Sequence, residues 1–321
     1  MMRRLLFACL LLAASAQAAD SASDALQLLQ RAASAASGLS YSGTFIYQHE
    51  DRTEASRITH VFEAGRELER IEVLDGSPRE VVRENDEVKC YLPESRLLVL
   101  DRRNVQHGFP GVLPSGLAGI TDAYAIRLGP PARVAGHDTQ AIVVDPRDVY
   151  RYGRQFWVDK NTGLLLKSGV RGVKGEFSES FTFTEVQIGG NINHELLRAR
   201  SSTEGGGWRV HDIRATRLEG NGQWIFHVTP PGFKQVSLLF RPARDAALES
   251  SHVIFTDGLA AISVFIEPLA KGRPAPRQGL FSMGAVNVYR KVANGTQFVV
   301  MGDVPPATLK MIGDGMEQRK P

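Results

Sequence analysis

Basic side chains recur in this sequence at spacings that suit oxyanions. Arg147, Arg151 and Arg154 form one group, and Arg241, Arg244, Lys271, Arg273 and Arg277 recur in two proline-containing loops. A guanidinium presents paired N–H donors that match phosphate or carboxylate oxygens, so each group is a candidate anion site. Asp145 and Asp148 partly neutralise the first group, which therefore reads as solvated surface charge. The second has fewer acids around it and is the better candidate for an anionic head group. Bond-breaking chemistry finds little support. His194-Glu195 lacks the second histidine of a zinc-protease helix, and neither a G-x-S-x-G elbow nor a Walker loop occurs. His137-Asp138 follows a glycine, where a polar turn pair is the ordinary outcome. The expectation is a binding protein with no catalytic residues, no metal and no cofactor.

Charge and cysteine content narrow the class. Arg3 and Arg4 precede an apolar run from Leu5 to Ala14, and Ala16-Gln17-Ala18 has the small residues of a cleavage site. The run is too short to span a bilayer, so residues 1–18 read as a secretory signal peptide, and the mature protein is expected outside the cytoplasm. Removing the first 18 of 321 residues leaves 303 and takes away two arginines and no acid, so the formal charge falls from +3 to +1. Near-neutrality argues against a nucleic-acid partner. Cys9 departs with the signal, leaving Cys90 as the one thiol and no intramolecular disulfide. The fold must rest on apolar cores.

A helix is predicted over Asp24–Ala36, capped at Ser23 or Asp24, with Ala25, Leu28, Leu29 and Ala32 on its apolar face. From Tyr41 the period changes to two. Strands are expected at 41–48, 56–63, 66–74, 79–84, 87–92 and 96–101, then at 123–128, 133–145, 150–159, 164–171 and 176–188. Phe177, Phe181 and Phe183 share one face of the last. The apolar, irregular stretch Gly108–Gly119 interrupts the series as a lid, a plug or a packed loop. Glu204–Gly207 is a composition break and the preferred linker. Beyond it a second β unit is expected, with a hairpin over 208–229 turning at Asn221-Gly222, strands at 236–241, 252–255, 261–267, 284–292 and 296–302, a turn at Asn294-Gly295, and a final helix over Ala307–Met316.

Several stretches of the chain are familiar as an ordered set: Arg133–Gly136 (RVAG), Tyr150–Leu166 (YRYGRQFWVDKNTGLLL), Glu179–Val186 (ESFTFTEV), Pro230–Phe233 (PPGF), Thr256–Glu267 (TDGLAAISVFIE) and Phe298–Pro305 (FVVMGDVP). In these the chain resembles the RseB/MucB family of periplasmic negative regulators of the envelope-stress (sigma-E) response. Thr256 stands where the family has serine, and Met301-Gly302-Asp303 where it has an apolar residue, glycine and glutamate. The resemblance implies a mainly β, α+β protein. Residues 19–203 would form an incompletely closed antiparallel β-barrel with covering helices, similar to the lipoprotein carriers LolA and LolB. Residues 204–207 would link it to a smaller antiparallel β domain over 208–321. It also implies binding of the periplasmic part of a membrane-spanning anti-sigma factor, shielding of that partner from site-one proteolysis, release by lipid or lipopolysaccharide, and self-association.

An open curved sheet leaves a concave apolar face that an acyl chain could complete. Phe45, Tyr47, Phe62, Val99, Phe109, Leu113, Trp157, Phe181 and Phe183 are the lipid-binding candidates. For the anti-sigma partner the candidates are Asp257, Gly258, Leu259, Val264, Phe265, Tyr289 and Phe298, on a sheet edge or apolar groove of the second domain. A lipoprotein or lipid carrier is the competing reading. It accounts for the first domain equally well and leaves the second without a purpose.

Overall fold

The computed structural model describes residues 21–49, 52–102, 117, 119–172, 176–201, 203, 206–214, 216–217, 224–242, 249–269, 276–283 and 286–318. Helix α1 runs over residues 21–38, so it begins before the predicted cap. Ala25, Leu29, Ala32, Ala33 and Ala36 are buried, which is the recurrence of a helix with one apolar face. Those small side chains let α1 lie close against the sheet beneath it. The Arg31 guanidinium fastens its outer face by donating to the Lys160 and Asn161 carbonyls.

That sheet has twelve strands: β1 (Tyr41–His49), β2 (Arg52–Glu63), β3 (Arg66–Val73), β4 (Glu80–Glu84), β5 (Glu87–Leu92), β6 (Leu97–Arg102), β7 (Tyr124–Val134), β8 (His137–Pro146), β9 (Gly153–Asp159), β10 (Leu165–Arg171), β11 (Phe177–Ile188) and β12 (Arg209–Asp212). Their order is β12-β6-β5-β4-β3-β2-β1-β11-β10-β9-β8-β7, with β7 and β12 as unjoined edges, so the barrel is open. Every pairing is antiparallel except β12 on β6. Two clusters fill the concave side. One joins α1 to Tyr124, Ile142, Val144, Phe156 and Val158; the other gathers Phe45, Ile58, Ile71, Phe181 and Phe183.

Local chemistry explains the departures from the predicted strands. The expected strand 133–145 is two strands, because Ala135 and Gly136 take φ of 48° and 83° and reverse the chain between β7 and β8. Gly43 is required by close approach: a Cβ there would overlap the Glu185 carbonyl oxygen and stand 2.9 Å from Val186 Cα, at the β1–β11 contact. The expected hairpin over 208–229 does not form. Residues 209–212 pair with β6 and residues 224–226 with the C-terminal strand, while the expected turn lies outside the described residues.

The chain leaves the first sheet after Ile213, whose N–H donates to Leu100. A second sheet follows, made of β13 (Thr216–Arg217), β15 (Lys234–Pro242), β16 (Glu249–Thr256), β17 (Ala261–Pro268), β18 (Gly279–Met283), β19 (Val286–Ala293) and β20 (Thr296–Gly302), in the order β13-β15-β16-β17-β20-β19-β18. The predicted turn at Asn294-Gly295 joins β19 to β20. A short helical turn, α2 (Ile120–Ala123), leads into β7, and after Pro305 the chain forms α3 (Pro306–Asp314), which buries Leu309 and Ile312 against Val264, Phe298 and Val300. A small two-stranded ribbon, β14 (Trp224–Phe226) with β21 (Met316–Gln318), closes that core.

Candidate functional site

The two sheets meet along a polar seam. Arg151, in the turn between β8 and β9, and Asp257, in the turn between β16 and β17, have no exposed side-chain surface, and their N–O distance is 2.6 Å. Asp257 also accepts from the Tyr124 hydroxyl at 2.8 Å and from its own turn's Leu259 and Ala260 amides at 2.9 and 2.8 Å. The Asp257 carboxylate thus also fixes the Asp-Gly turn that leads into the buried strand β17. The Arg151 guanidinium lies between the Phe233 and Tyr124 rings, 5.0 and 5.4 Å from their centroids. It also takes Asp148 at 3.0 Å and donates to the Pro231 carbonyl. Burial by itself would lower its pKa, but Asp148 and Asp257 raise it, so the charge is retained. The Tyr124 hydroxyl is pushed up, by burial first and then by the Asp257 charge, and stays a donor.

Further contacts extend the seam. Arg154 of β9 pairs with Asp303, whose other oxygen accepts from the Ala261 amide at 3.2 Å. The Thr308 hydroxyl of α3 donates to the Tyr150 carbonyl at 2.9 Å, and the Asn287 amide donates to the Tyr152 hydroxyl at 3.2 Å. Leu259 packs against the core beneath α1. Beside Arg151 opens a cavity of about 340 Å³ lined by Asp122, Asp148, Lys234, Thr256 and Gly258, among others. The stretches Tyr150–Leu166, Pro230–Phe233, Thr256–Glu267 and Phe298–Pro305 thus meet at one place in space.

This placement corrects several expectations. Arg151 and Arg154 are neither solvated charge nor an anion site, since carboxylates of this chain already occupy them. Asp257 is buried in the seam, and Val264 and Phe298 lie in the second core, so none of these three offers a partner a free surface, while Leu259 is half-buried and packs beneath α1. Gly258 is half-buried in the same turn. Phe265 stacks on His252 with centroids 4.1 Å apart. Tyr289 donates to Asp314 at 2.7 Å, and its hydroxyl is pushed up to about 12 by burial and then by that carboxylate.

Among the lipid candidates, Phe45, Phe181 and Phe183 pack on one another with centroids 5.1–6.1 Å apart and are buried. Tyr47, Val99 and Trp157 are half-buried. Trp157 meets Phe177 edge to face, 5.8 Å away, under the Lys167 ammonium. Phe62 is 45% exposed, at the end of β2 that runs past β1, and it cannot line an interior. Phe109 and Leu113 lie outside the described residues. So do Arg244, Lys271 and Arg273, and of Arg241 only the backbone, in β15, is described. Arg277 is exposed, its guanidinium 5.7 Å from the Phe281 ring.

The seam residues Tyr124, Arg154, Asn287, Asp303 and Thr308 were not expected to act together. One signal was present in the sequence. Arg154 precedes Phe156 and Val158 at the inward phase of its strand, where a charge demands a partner.

Sequence models of the MucB/RseB N-terminal and C-terminal domains match residues 24–201 and 219–317. The chain belongs to the MucB/RseB family. It is 31% identical over 304 residues to the sigma factor AlgU regulatory protein MucB of Pseudomonas aeruginosa, covering 92% of this chain and 91% of that one. It is 27% identical over 333 residues to the sigma-E factor regulatory protein RseB of Salmonella typhimurium, covering 99% of each. Two solved structures share its fold across most of its length. One is MucB in complex with MucA(peri), with TM-score 0.69, 27% identity and coverage of 92% of this chain and 100% of the other. The second, the Pseudomonas aeruginosa MucA/MucB complex, has TM-score 0.71, 28% identity and coverage of 93% and 100%. MucB/RseB proteins are regulatory, binding proteins, and the chain is not an enzyme. Among the described residues no helix is long and apolar enough to cross a membrane.

Proposed function

We propose that this protein is a periplasmic negative regulator of the sigma-E envelope-stress response. It binds the periplasmic part of a membrane-spanning anti-sigma factor, protects it from site-one proteolysis, and releases it when lipid or lipopolysaccharide binds. The observation that carries the reading is likeness over nearly the whole chain, both sheets included, to a protein solved with a MucA periplasmic segment. A carrier would need the first sheet alone. Here the second is fastened to the first through one buried and one partly buried ion pair, which supports reading the two as a working unit.

An acyl chain entering the concave side between α1 and the sheet would lie against the half-buried Tyr47 and Val99, on the face that carries the packed phenylalanines. A ligand that prefers the conformation unable to hold the partner must weaken partner binding by the factor by which the partner weakens its own. Calorimetric titration of the purified full-length protein with the periplasmic segment of its genome's anti-sigma factor tests the first part, and saturable binding is expected. Absence of binding overturns the regulator reading. Repeating the titration with lipopolysaccharide present tests the second part, where equal affinities with and without it overturn release by lipid.

A further inference from the structure

Two arginines cross the seam, and each has a carboxylate on its own sheet as well as one on the other. Arg151 contacts both at once, with Asp148 at 3.0 Å in its own turn and Asp257 at 2.6 Å across the seam. Arg154 pairs with Asp303 across the seam. Its second carboxylate is set by register. Arg154 stands opposite Val170, and Val170 stands opposite Glu179, so Arg154 and Glu179 share one face two strands apart. That separation is about 10 Å between Cα atoms, within reach of an extended arginine and a glutamate.

Glu179 is half-buried on β11. It has the Tyr47 hydroxyl as a hydrogen-bond partner and faces His49 on β1. Its carboxyl is pushed up, by burial first, and the nearby Asp303 charge adds to the effect while Arg154 opposes it. A half-buried guanidinium deprived of Asp303 would be costly to expose along the way to separation. We propose that Arg154 is a shared guanidinium that holds Asp303 when the sheets are joined and turns to Glu179 when they part. The exchange keeps the Arg154 charge paired in both states, which lowers the cost of parting the sheets at this point of the seam. It is a property of the joint and does not depend on which molecule the protein binds.

The two carboxylates then act with opposite sign, and the charge-conserving Glu179→Asp variant separates the exchange from simple relief of the repulsion between Glu179 and Asp303. In the full-length protein, Asp303→Asn should loosen the seam, while Glu179→Gln should tighten it by removing the alternative partner. Two measurements read this: the radius of gyration by small-angle scattering, and the rate of proteolytic cutting between residues 201 and 216. Asp303→Asn is expected to enlarge the radius and speed cutting about tenfold, the loss of one partly buried pair. Glu179→Gln is expected to slow cutting below the parent rate. Glu179→Asp, too short to reach Arg154 but still charged, should do the same and serves if the glutamine variant does not fold. Cutting that is unchanged or faster in a folded Glu179 variant overturns the proposal, as does an Asp303→Asn protein that keeps the parent's radius and rate.

Discussion

Arg151 and Asp257 illustrate how one residue can carry a joint between sheets. Neither reaches solvent, so their interaction is unscreened and each is costly without the other. Asp257→Ala should lower the unfolding free energy by about 3–5 kcal/mol, the usual range for breaking a buried pair, with urea denaturation as the measurement. The Asp148 contact to Arg151 sets the lower end of that range. Glu80 does comparable work within the first sheet. Its two oxygens accept from Arg70, the Arg200 and Ser201 amides and the Ser201 hydroxyl, which ties the segment leaving the sheet back to β4. Burial by itself would raise its pKa, but these donors win and hold the carboxyl below its ordinary range. A depressed folded pKa contributes stability that is fully present above the unfolded value of about 4.3. That contribution is lost as pH falls through the folded value. Glu80→Gln should therefore be less stable than the parent at neutral pH, and the gap should shrink as acid denaturation is followed below pH 4.

At the scale of elements, the barrel depends on close packing between strands as much as on apolar content. The β1–β11 contact brings backbones together at Gly43, where no side chain fits. Gly43→Ala should cost about 1–3 kcal/mol through overpacking, measured as a lowered thermal midpoint. The row Gly43, Ile58, Ile71, Val81, Cys90, Val99 runs in register across six strands, so Cys90 is a strand residue among apolar neighbours. Burial pushes its thiol up, which makes it a poor nucleophile. Much at this scale was legible beforehand, because period-two alternation and helix periodicity follow from local geometry. The strand at 279–283 was missed, being short and lacking a turn signal of its own.

For the whole molecule, the arrangement of the two sheets rests on pairs whose charges are largely removed from water. Surface ion pairs weaken within a Debye length as salt rises, whereas buried ones are screened far less. The radius of gyration of the full-length protein should therefore stay constant between 0.1 and 1 M sodium chloride. A marked expansion at high salt would mean that exposed pairs hold the sheets together.

The sequence by itself determined the elements: a helix with one small-residue face, strands of alternating phase, turns where glycine and asparagine allow a positive φ, and a set of motifs that names the family. Such features are written within a few residues of one another and need no distant partner. Only the tertiary structure decided which charges are solvated, which strand joins which sheet, and which aromatic residues fill the interior. Residues 209–212 pair with β6 although a gap of more than 100 residues separates them, and Arg151 finds Asp257 106 residues away. Pairings of that reach are set by which surfaces can be buried together, a condition on the whole chain that no local pattern records.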